Sequence, residues 1–227
     1  MTFNQSQFND FIISSGAVGF FNEPIKLSSG RMSNWYVNLR KISYDVFLLD
    51  KMADFVIEFV SDLQLKQDCF YGVPEGATKL GIIAQFKFAK MQANYGAGKY
   101  CLPMGRGKLK EHGAPEDRVF EGKPRGRTIV IEDVTTTGDS LLRVIDQLRT
   151  EKVEIIAAIG VVNRNEKRDD GKTVAQAVQE KGLNYYQMAN AVELLPLAFR
   201  KLQPGEEAAR LVENYFATYG AEKINLA

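Results

Sequence analysis

The residues best equipped for chemistry cluster in one short stretch: Glu132 and Asp133, followed by Thr135, Thr136, Thr137, Gly138, Asp139 and Ser140. Paired carboxylates can accept hydrogen bonds from vicinal sugar hydroxyls. A hydroxyl-rich turn with glycine at the positive end of a helix gathers the N–H and O–H donors that hold a phosphate dianion. Together they read as a site for a ribose 5-phosphate. The flanking residues must position it. Thr128 to Ile131 is a β-branched run without polar alternation, as expected of a parallel strand buried on both faces. Leu141, Leu142, Ile145 and Leu148 then recur at helical spacing. The glycines do not follow the dinucleotide-binding pattern, and the Gly-Lys-Ser/Thr of a P-loop is missing. An ordinary N-capped turn is the plainer reading, and the paired acids beside three threonines argue against it.

Three further segments carry polar residues where an α/β sheet would use them. Cys69 to Val73 predicts a short strand, and Pro74 to Thr78 a turn into a helix carrying Leu80, Ile83 and Ala84, a second place suited to an anion. From Met104 to Gly122 apolar residues nearly vanish, while the segment holds four cations (Arg106, Lys108, Lys110 and Arg118) and the only histidine, His112. A polar, glycine-rich connection of this length is usually a lid or disordered, and a lid explains the cations, which it would bring over a polyphosphate while excluding water. Glu154 to Val162 predicts another strand, with Arg164 just past its carboxyl end, where ligands of open α/β sheets gather. A guanidinium there can pair bidentately with a carboxylate. A solvated charged loop is the alternative, since Lys167, Arg168, Asp169 and Asp170 follow.

The rest of the 227-residue chain supplies the scaffold. Phe8, Phe11 and Ile12 mark a first helix ending near Gly16, and Leu48, Met52, Phe55, Val56 and Phe59 a strong helical stripe. Ile25 to Arg40 reads as a hairpin around Ser28-Ser29-Gly30-Arg31. Lys99 to Leu102 is a candidate strand, Val174 and Val178 suggest a helix, and Asn184 to Met188 a last strand. Glu193 to Phe199 reads as a helical turn. A helix from Pro204 carries Ala208, Leu211, Val212, Tyr215, Phe216 and Tyr219 on one face, to pack on its own sheet or on a second subunit. With 45% hydrophobic and 25% charged residues and a net charge of +1, nothing argues for a nucleic-acid partner. No stretch approaches the roughly 18 apolar residues of a membrane span. Met1 to Asp10 is polar and acidic, which reads as no signal peptide and a cytoplasmic protein. Cys69 and Cys101 lack metal-ligand spacing and read as buried thiols.

The Thr128 to Leu141 stretch resembles the phosphoribosyl pyrophosphate (PRPP) signature of type I phosphoribosyltransferases, with Thr135 where an aliphatic residue is more usual. Leu27, Ser29, Gly30, Arg31 and Ser33 resemble the hood turn of orotate phosphoribosyltransferases, with Ser28 in place of a lysine. Arg106, Lys110, His112 and Gly113 keep the spacing of that family's lid, where Gly107 replaces a lysine and Lys108 a glutamate. Asn163-Arg164 resembles its Asp-Arg pair, without the acid.

The resemblance implies an α/β, type I phosphoribosyltransferase fold: a central, mostly parallel sheet flanked by helices, with a small N-terminal hood and a flexible catalytic loop. It spans 1–227 as one domain, with hood elements in 1–45, the lid in 104–122 and the C-terminal helix in 204–220. The implied reaction transfers ribose 5-phosphate from PRPP to orotate, giving orotidine 5-monophosphate and pyrophosphate in pyrimidine (UMP) biosynthesis. By the same resemblance Glu132 and Asp133 face the ribose hydroxyls and Thr135 to Ser140 wrap the 5-phosphate. Lys79, Arg106, Lys108, Lys110 and His112 meet pyrophosphate, and Lys110, His112, Arg106 and Asp133 form the catalytic set. Arg164 meets the orotate carboxylate, Tyr36 or Val37 lies against the base, and Lys26 is a further anion contact. A Mg²⁺ ion is implied, held mainly by PRPP oxygens and water with no protein metal ligands, and so is a homodimer whose lid acts across subunits. The alternatives are transfer to another nucleobase, or a PRPP-sensing regulator that binds nucleic acid.

Overall fold

The computed structural model describes residues 2–108, 110–111 and 118–226. Its centre is β4 (Thr128–Thr135), which continues the apolar run through the acidic pair. Ile129, Val130 and Ile131 are fully buried, as the absence of polar alternation requires. On one side β4 pairs in parallel with β3 (Cys69–Gly72), on the other with β5 (Ile155–Asn163), which in turn pairs with β6 (Asn184–Asn190). The order β3-β4-β5-β6 is an all-parallel sheet.

Parallel neighbours need crossovers, and helices supply them. α5 (Asp139–Thr150) and α6 (Val174–Glu180) cover one face, where Leu141, Ile145, Leu148 and Val178 pack on Val130 and Ala158. α1 (Gln5–Ser14), α3 (Val46–Asp62), α4 (Thr78–Lys90) and α7 (Ala191–Leu202) bury their apolar sides on the other face, around Ile129, Ile131 and Ile159. Although α1 falls within the hood segment 1–45, it packs on β6 and α7.

β1 (Val18–Lys26) and β2 (Met32–Val37) form the expected antiparallel hairpin, and a bulge interrupts β1 between Phe20 and Ile25. In β2 the alternate residues Ser33, Trp35 and Val37 are buried. The short α2 (Arg40–Tyr44) follows. α8 (Glu206–Tyr219) covers this hairpin, with Phe216 stacked on Trp35 at 5.7 Å and Tyr219 beneath the Arg31 guanidinium at 4.7 Å. The C-terminal helix thus packs on the hood of its own chain.

Lys99 to Leu102 is not a strand. Gln85 of α4 occupies the position that a fifth strand would use: its Oε1 accepts from Phe70 N–H (2.9 Å) and its Nε2 donates to Cys101 O (3.0 Å). A side-chain amide thereby caps the open edge of β3 and leaves no ladder for the neighbouring segment. Cys101 lies in this connection, 3.6 Å from the buried Cys69 sulphur to sulphur, and both are free thiols.

The lid segment has arms that pair with each other. Met104 and Gly122, Arg106 and Val119, and Lys110 and Arg118 are joined by backbone hydrogen bonds of 3.0–3.2 Å. His112 and Gly113 lie outside the described residues.

Gln85→Leu keeps the volume but strands the Phe70 N–H in a buried site. It is expected to cost about 1–3 kcal/mol, read as a Tm loss of roughly 2–4 °C per kcal/mol in thermal unfolding.

Candidate active site

β4 stays paired with β5 as far as Thr135, and the chain then turns through Thr136, Thr137 and Gly138 into α5. Gly138 has φ +76°, and a Cβ there would fall 2.4 Å from Val174 Cγ2, so both conformation and space call for glycine. Asp139 opens α5, where its charge suits the helix dipole. The Thr137 hydroxyl donates to its Oδ2 (2.6 Å) and Arg168 pairs with its Oδ1 (2.9 Å), which hold the carboxyl below its ordinary pKa. Arg168 also donates to Thr137 O, so one guanidinium ties down both ends of the turn.

Two adjoining lobes open over this turn. The larger, about 430 Å³, is lined by Pro74 to Gly76, Glu132, Asp133, Thr136 to Ser140 and Arg143. The smaller, about 220 Å³, lies under the hood and is lined by Lys26, Leu27, Tyr36, Val37 and Arg164. Ser28, Arg40, Asp133, Val134 and Thr136 line both, so the lobes form one cleft. The Pro74–Thr78 turn presses on the acidic pair: a Cβ on Gly76 would lie 2.4 Å from Asp133 Oδ2.

The acids are unequal. Glu132 is 6% exposed and its pKa is driven well above the carboxylate range, first by burial and then by the charge of Asp133 beside it. Asp133 is half-buried and lines both lobes. Glu132 and Asp133 are hard oxygen donors, the ligand type that suits a divalent cation bound in part through substrate oxygens.

Arg164 is 1% exposed, not a solvated loop residue. Its Nε donates to Glu166 Oε1 (2.7 Å), one terminal nitrogen to Ser33 Oγ (3.0 Å) and the other to Trp35 O (3.4 Å). The guanidinium lies 3.6 Å over the Trp35 ring. A guanidinium has five N–H donors, so these contacts leave its terminal nitrogens with hydrogens for a ligand in the smaller lobe. Asn163, where the family resemblance has an acid, turns to the sheet instead, and its amide donates to Gln187 Oε1 (2.7 Å).

The predicted residues therefore separate into two sets. Glu132, Asp133, Thr136, Thr137, Gly138, Asp139, Ser140, Tyr36, Lys26 and Arg164 line the cleft. Thr135 does not: it is the last residue of β4, 1% exposed, and its hydroxyl bonds Tyr185 OH (2.6 Å) and Asn163 (3.3 Å) inside the sheet. Lys79 turns away and donates to Ser43 O (3.3 Å). Arg106 pairs with Glu121 at 3.6 Å, and Lys108 and Lys110 are exposed and line neither lobe. Gly107 lies against Glu75, where a Cβ would meet Oε1 at 2.8 Å.

Arg40, Arg143, Glu75 and Arg168 were not singled out by sequence as site residues, and Ser28 and Ser29 were read only as part of the hood turn. Arg143 was within reach, standing one turn beyond Asp139 and Ser140 on the same helix face. Arg40, at the start of α2, carries no local signal. Ser29 Oγ is buried without a partner beside the larger lobe.

No family model matches the chain. It is 33% identical over 178 residues to an orotate phosphoribosyltransferase of Rhodopseudomonas palustris (strain BisB5), covering 75% of this chain and 87% of that one. It is 30% identical over 213 residues to the orotate phosphoribosyltransferase of Methanopyrus kandleri, covering 92% of this chain and 100% of that one. Among solved structures, orotate phosphoribosyltransferase of Francisella tularensis superposes with a TM-score of 0.69 at 19% identity, over 95% of this chain and 100% of that one. That of Aeropyrum pernix gives 0.63 at 22% identity, over 87% and 99%. The fold is that of the type I phosphoribosyltransferases. With a threonine turn at a helix start, an acidic pair and a hooded lobe around one cleft, and with relatives of this identity over most of its length, the chain belongs to the orotate phosphoribosyltransferase family.

Proposed function

We propose that the protein transfers ribose 5-phosphate from PRPP to orotate, releasing pyrophosphate and orotidine 5-monophosphate. The observation that carries this reading is the joined cleft: a phosphate-type turn and acidic pair in one lobe, and an arginine-walled aromatic lobe in the other, meeting at Asp133 and Thr136.

The bond from the anomeric carbon to pyrophosphate breaks, its electron pair leaves with the pyrophosphate, and the carbon bonds to orotate N1, whose proton is released. Positive charge develops on the ribose during the exchange, so negative groups at the sugar and cations at the leaving group lower the barrier. Thr136 to Ser140 hold the 5-phosphate at the N-terminus of α5. Asp133 and Glu132 accept from the ribose hydroxyls and fix the anomeric carbon between the lobes. Arg40 lines both lobes and offers a cation where the bond breaks. In the smaller lobe Tyr36 and Val37 flank the base and Arg164 takes its carboxylate.

Mg²⁺ bound to PRPP would neutralise the pyrophosphate oxygens, and Asp133 and Glu132 would hold its water shell. The lid of a neighbouring subunit completes the site. Lys108 and Lys110 line neither lobe of their own chain, and Tyr44, Val46 and Phe47 at the α2–α3 corner are 88%, 85% and 66% exposed, an apolar surface suited to a second copy. The free thiols Cys69 and Cys101 fit a reducing, cytoplasmic setting.

Loss of orotate absorbance on mixing protein, PRPP and Mg²⁺ tests the reaction, and no turnover with orotate would overturn it. Lys110→Ala is expected to lower kcat by about 10²–10³, and Arg164→Ala to raise the orotate KM roughly 10–100-fold. If the lid acts across subunits, Lys110→Ala mixed with Asp133→Asn regains activity that neither has alone. No recovery would confine each lid to its own chain.

Glu132 gives a pH test. Its folded pKa lies above its unfolded value, so between the two the native state holds a proton the unfolded chain has lost, and stability falls as pH rises through that window. Glu132→Gln removes this loss. The variant should unfold at higher temperature than wild type, by a margin that grows as pH rises above the ordinary carboxylate pKa, while its turnover falls. A margin independent of pH would count against the raised pKa.

A further inference from the structure

Two buried guanidinium groups share a single buried carboxylate at the wall of the smaller lobe. The Glu166 side chain is 0% exposed; its Oε1 accepts from Arg164 Nε at 2.7 Å and its Oε2 from Arg31 NH1 at 2.9 Å. Arg31 belongs to the hood turn and its side chain is 9% exposed, while Arg164 lies at the carboxyl end of β5. One carboxylate therefore joins the hood to the sheet. The second ion-pair partner of Arg31 is Asp169, at 3.0 Å, whose side chain is 98% exposed and so screened by water. Inside the fold the cluster has two positive charges and one negative. An unbalanced buried charge is costly, and the open side of this one faces the lobe that Arg164 lines.

We propose that Glu166 is the positioning residue for base selection: by gripping Arg164 and Arg31 together it fixes the Arg164 guanidinium edge toward the smaller lobe and leaves there one uncompensated positive charge that a carboxylate on the base neutralises. This rests on the reading of orotate as acceptor. Nothing else within the cluster orients Arg164 as strongly. Ser33 Oγ and Trp35 O are neutral acceptors at 3.0 and 3.4 Å, and charge-assisted contacts are about twice as strong as neutral ones. The flat face of the guanidinium is already taken by Trp35 at 3.6 Å, so Glu166 decides only its rotation within that plane. The same contact makes the hood turn part of base recognition. Arg31 NH2 also donates to Lys167 O (2.8 Å), so a shift of Glu166 would move the turn and the Lys26–Ser28 wall with it.

The test is steady-state kinetics of Glu166→Gln, Glu166→Asp and Arg31→Met, with orotate and PRPP varied separately and uracil as an acceptor without the carboxylate. Glu166→Gln should raise the orotate KM roughly tenfold or more, with the PRPP KM within about twofold and the preference for orotate over uracil reduced. Glu166→Asp, which keeps the charge, should restore part of the orotate KM. Arg31→Met leaves the Glu166–Arg164 pair intact and keeps the proposal testable if Glu166→Gln fails to fold. By removing the excess charge, it should also lower the preference for orotate over uracil. An unchanged orotate KM and unchanged preference in folded variants overturn the proposal, as does an equal rise in the KM of both substrates. A wild type that does not turn over orotate at all removes the acceptor reading itself, and with it this inference.

Discussion

β4 is buried on both faces, and that constraint organises the molecule. Ile129, Val130 and Ile131 meet helices above and below, so polar side chains can enter only where the strand ends. Everything chemical follows from that exit: the acids at its lip, the threonine turn, and the N-terminus of α5. The neighbouring strands bring their own ends to the same edge. β3 contributes the Pro74–Gly76 turn and β5 contributes Arg164, so residues far apart in the chain line one cleft.

The cleft is assembled at an electrostatic cost. Glu132 is held in a buried site next to Asp133, which favours its protonated form in the free protein. Such a pair is destabilising on its own. The phosphate turn is treated in the opposite way. Asp139 is kept ionised by Thr137 and Arg168, which pin the turn from outside the cleft and leave its inner surface open.

The hood is attached by packing as well as by charge. Trp35 lies between the Arg164 guanidinium and Phe216 of α8, so an apolar stack and a buried ion network share one residue. That arrangement explains why the C-terminal helix belongs to the hood of its own chain: the apolar face of α8 finds Trp35 and Val18 within the same core, where burial of aromatic area is a large driving term. The 104–122 segment is built on other lines. Backbone pairing holds its arms together while Lys108 and Lys110 remain in solvent.

The sequence by itself determined the parts that depend on near neighbours. The apolar run of β4, the acids, the threonine turn and the helix after it form a contiguous signal, and each of Glu132, Asp133, Thr136 and Ser140 lines the cleft as its spacing implied. Arg164 was also legible, because the end of a parallel strand is a defined place. The tertiary structure decided whatever depends on a partner distant in the chain. Thr135 belongs to the turn by type, yet pairing with Asn163 carries β4 one residue further and points its hydroxyl at Tyr185. Lys99 to Leu102 has strand-like residues, but Gln85 already occupies the hydrogen-bonding edge. Lys79 follows the anion turn and is drawn to a carbonyl of α2. Arg40 and Glu166 sit in segments with no local motif and gain their places because the hood folds over the sheet. Local periodicity encodes which face a residue takes, whereas the group it meets there is set by contacts across many residues of chain.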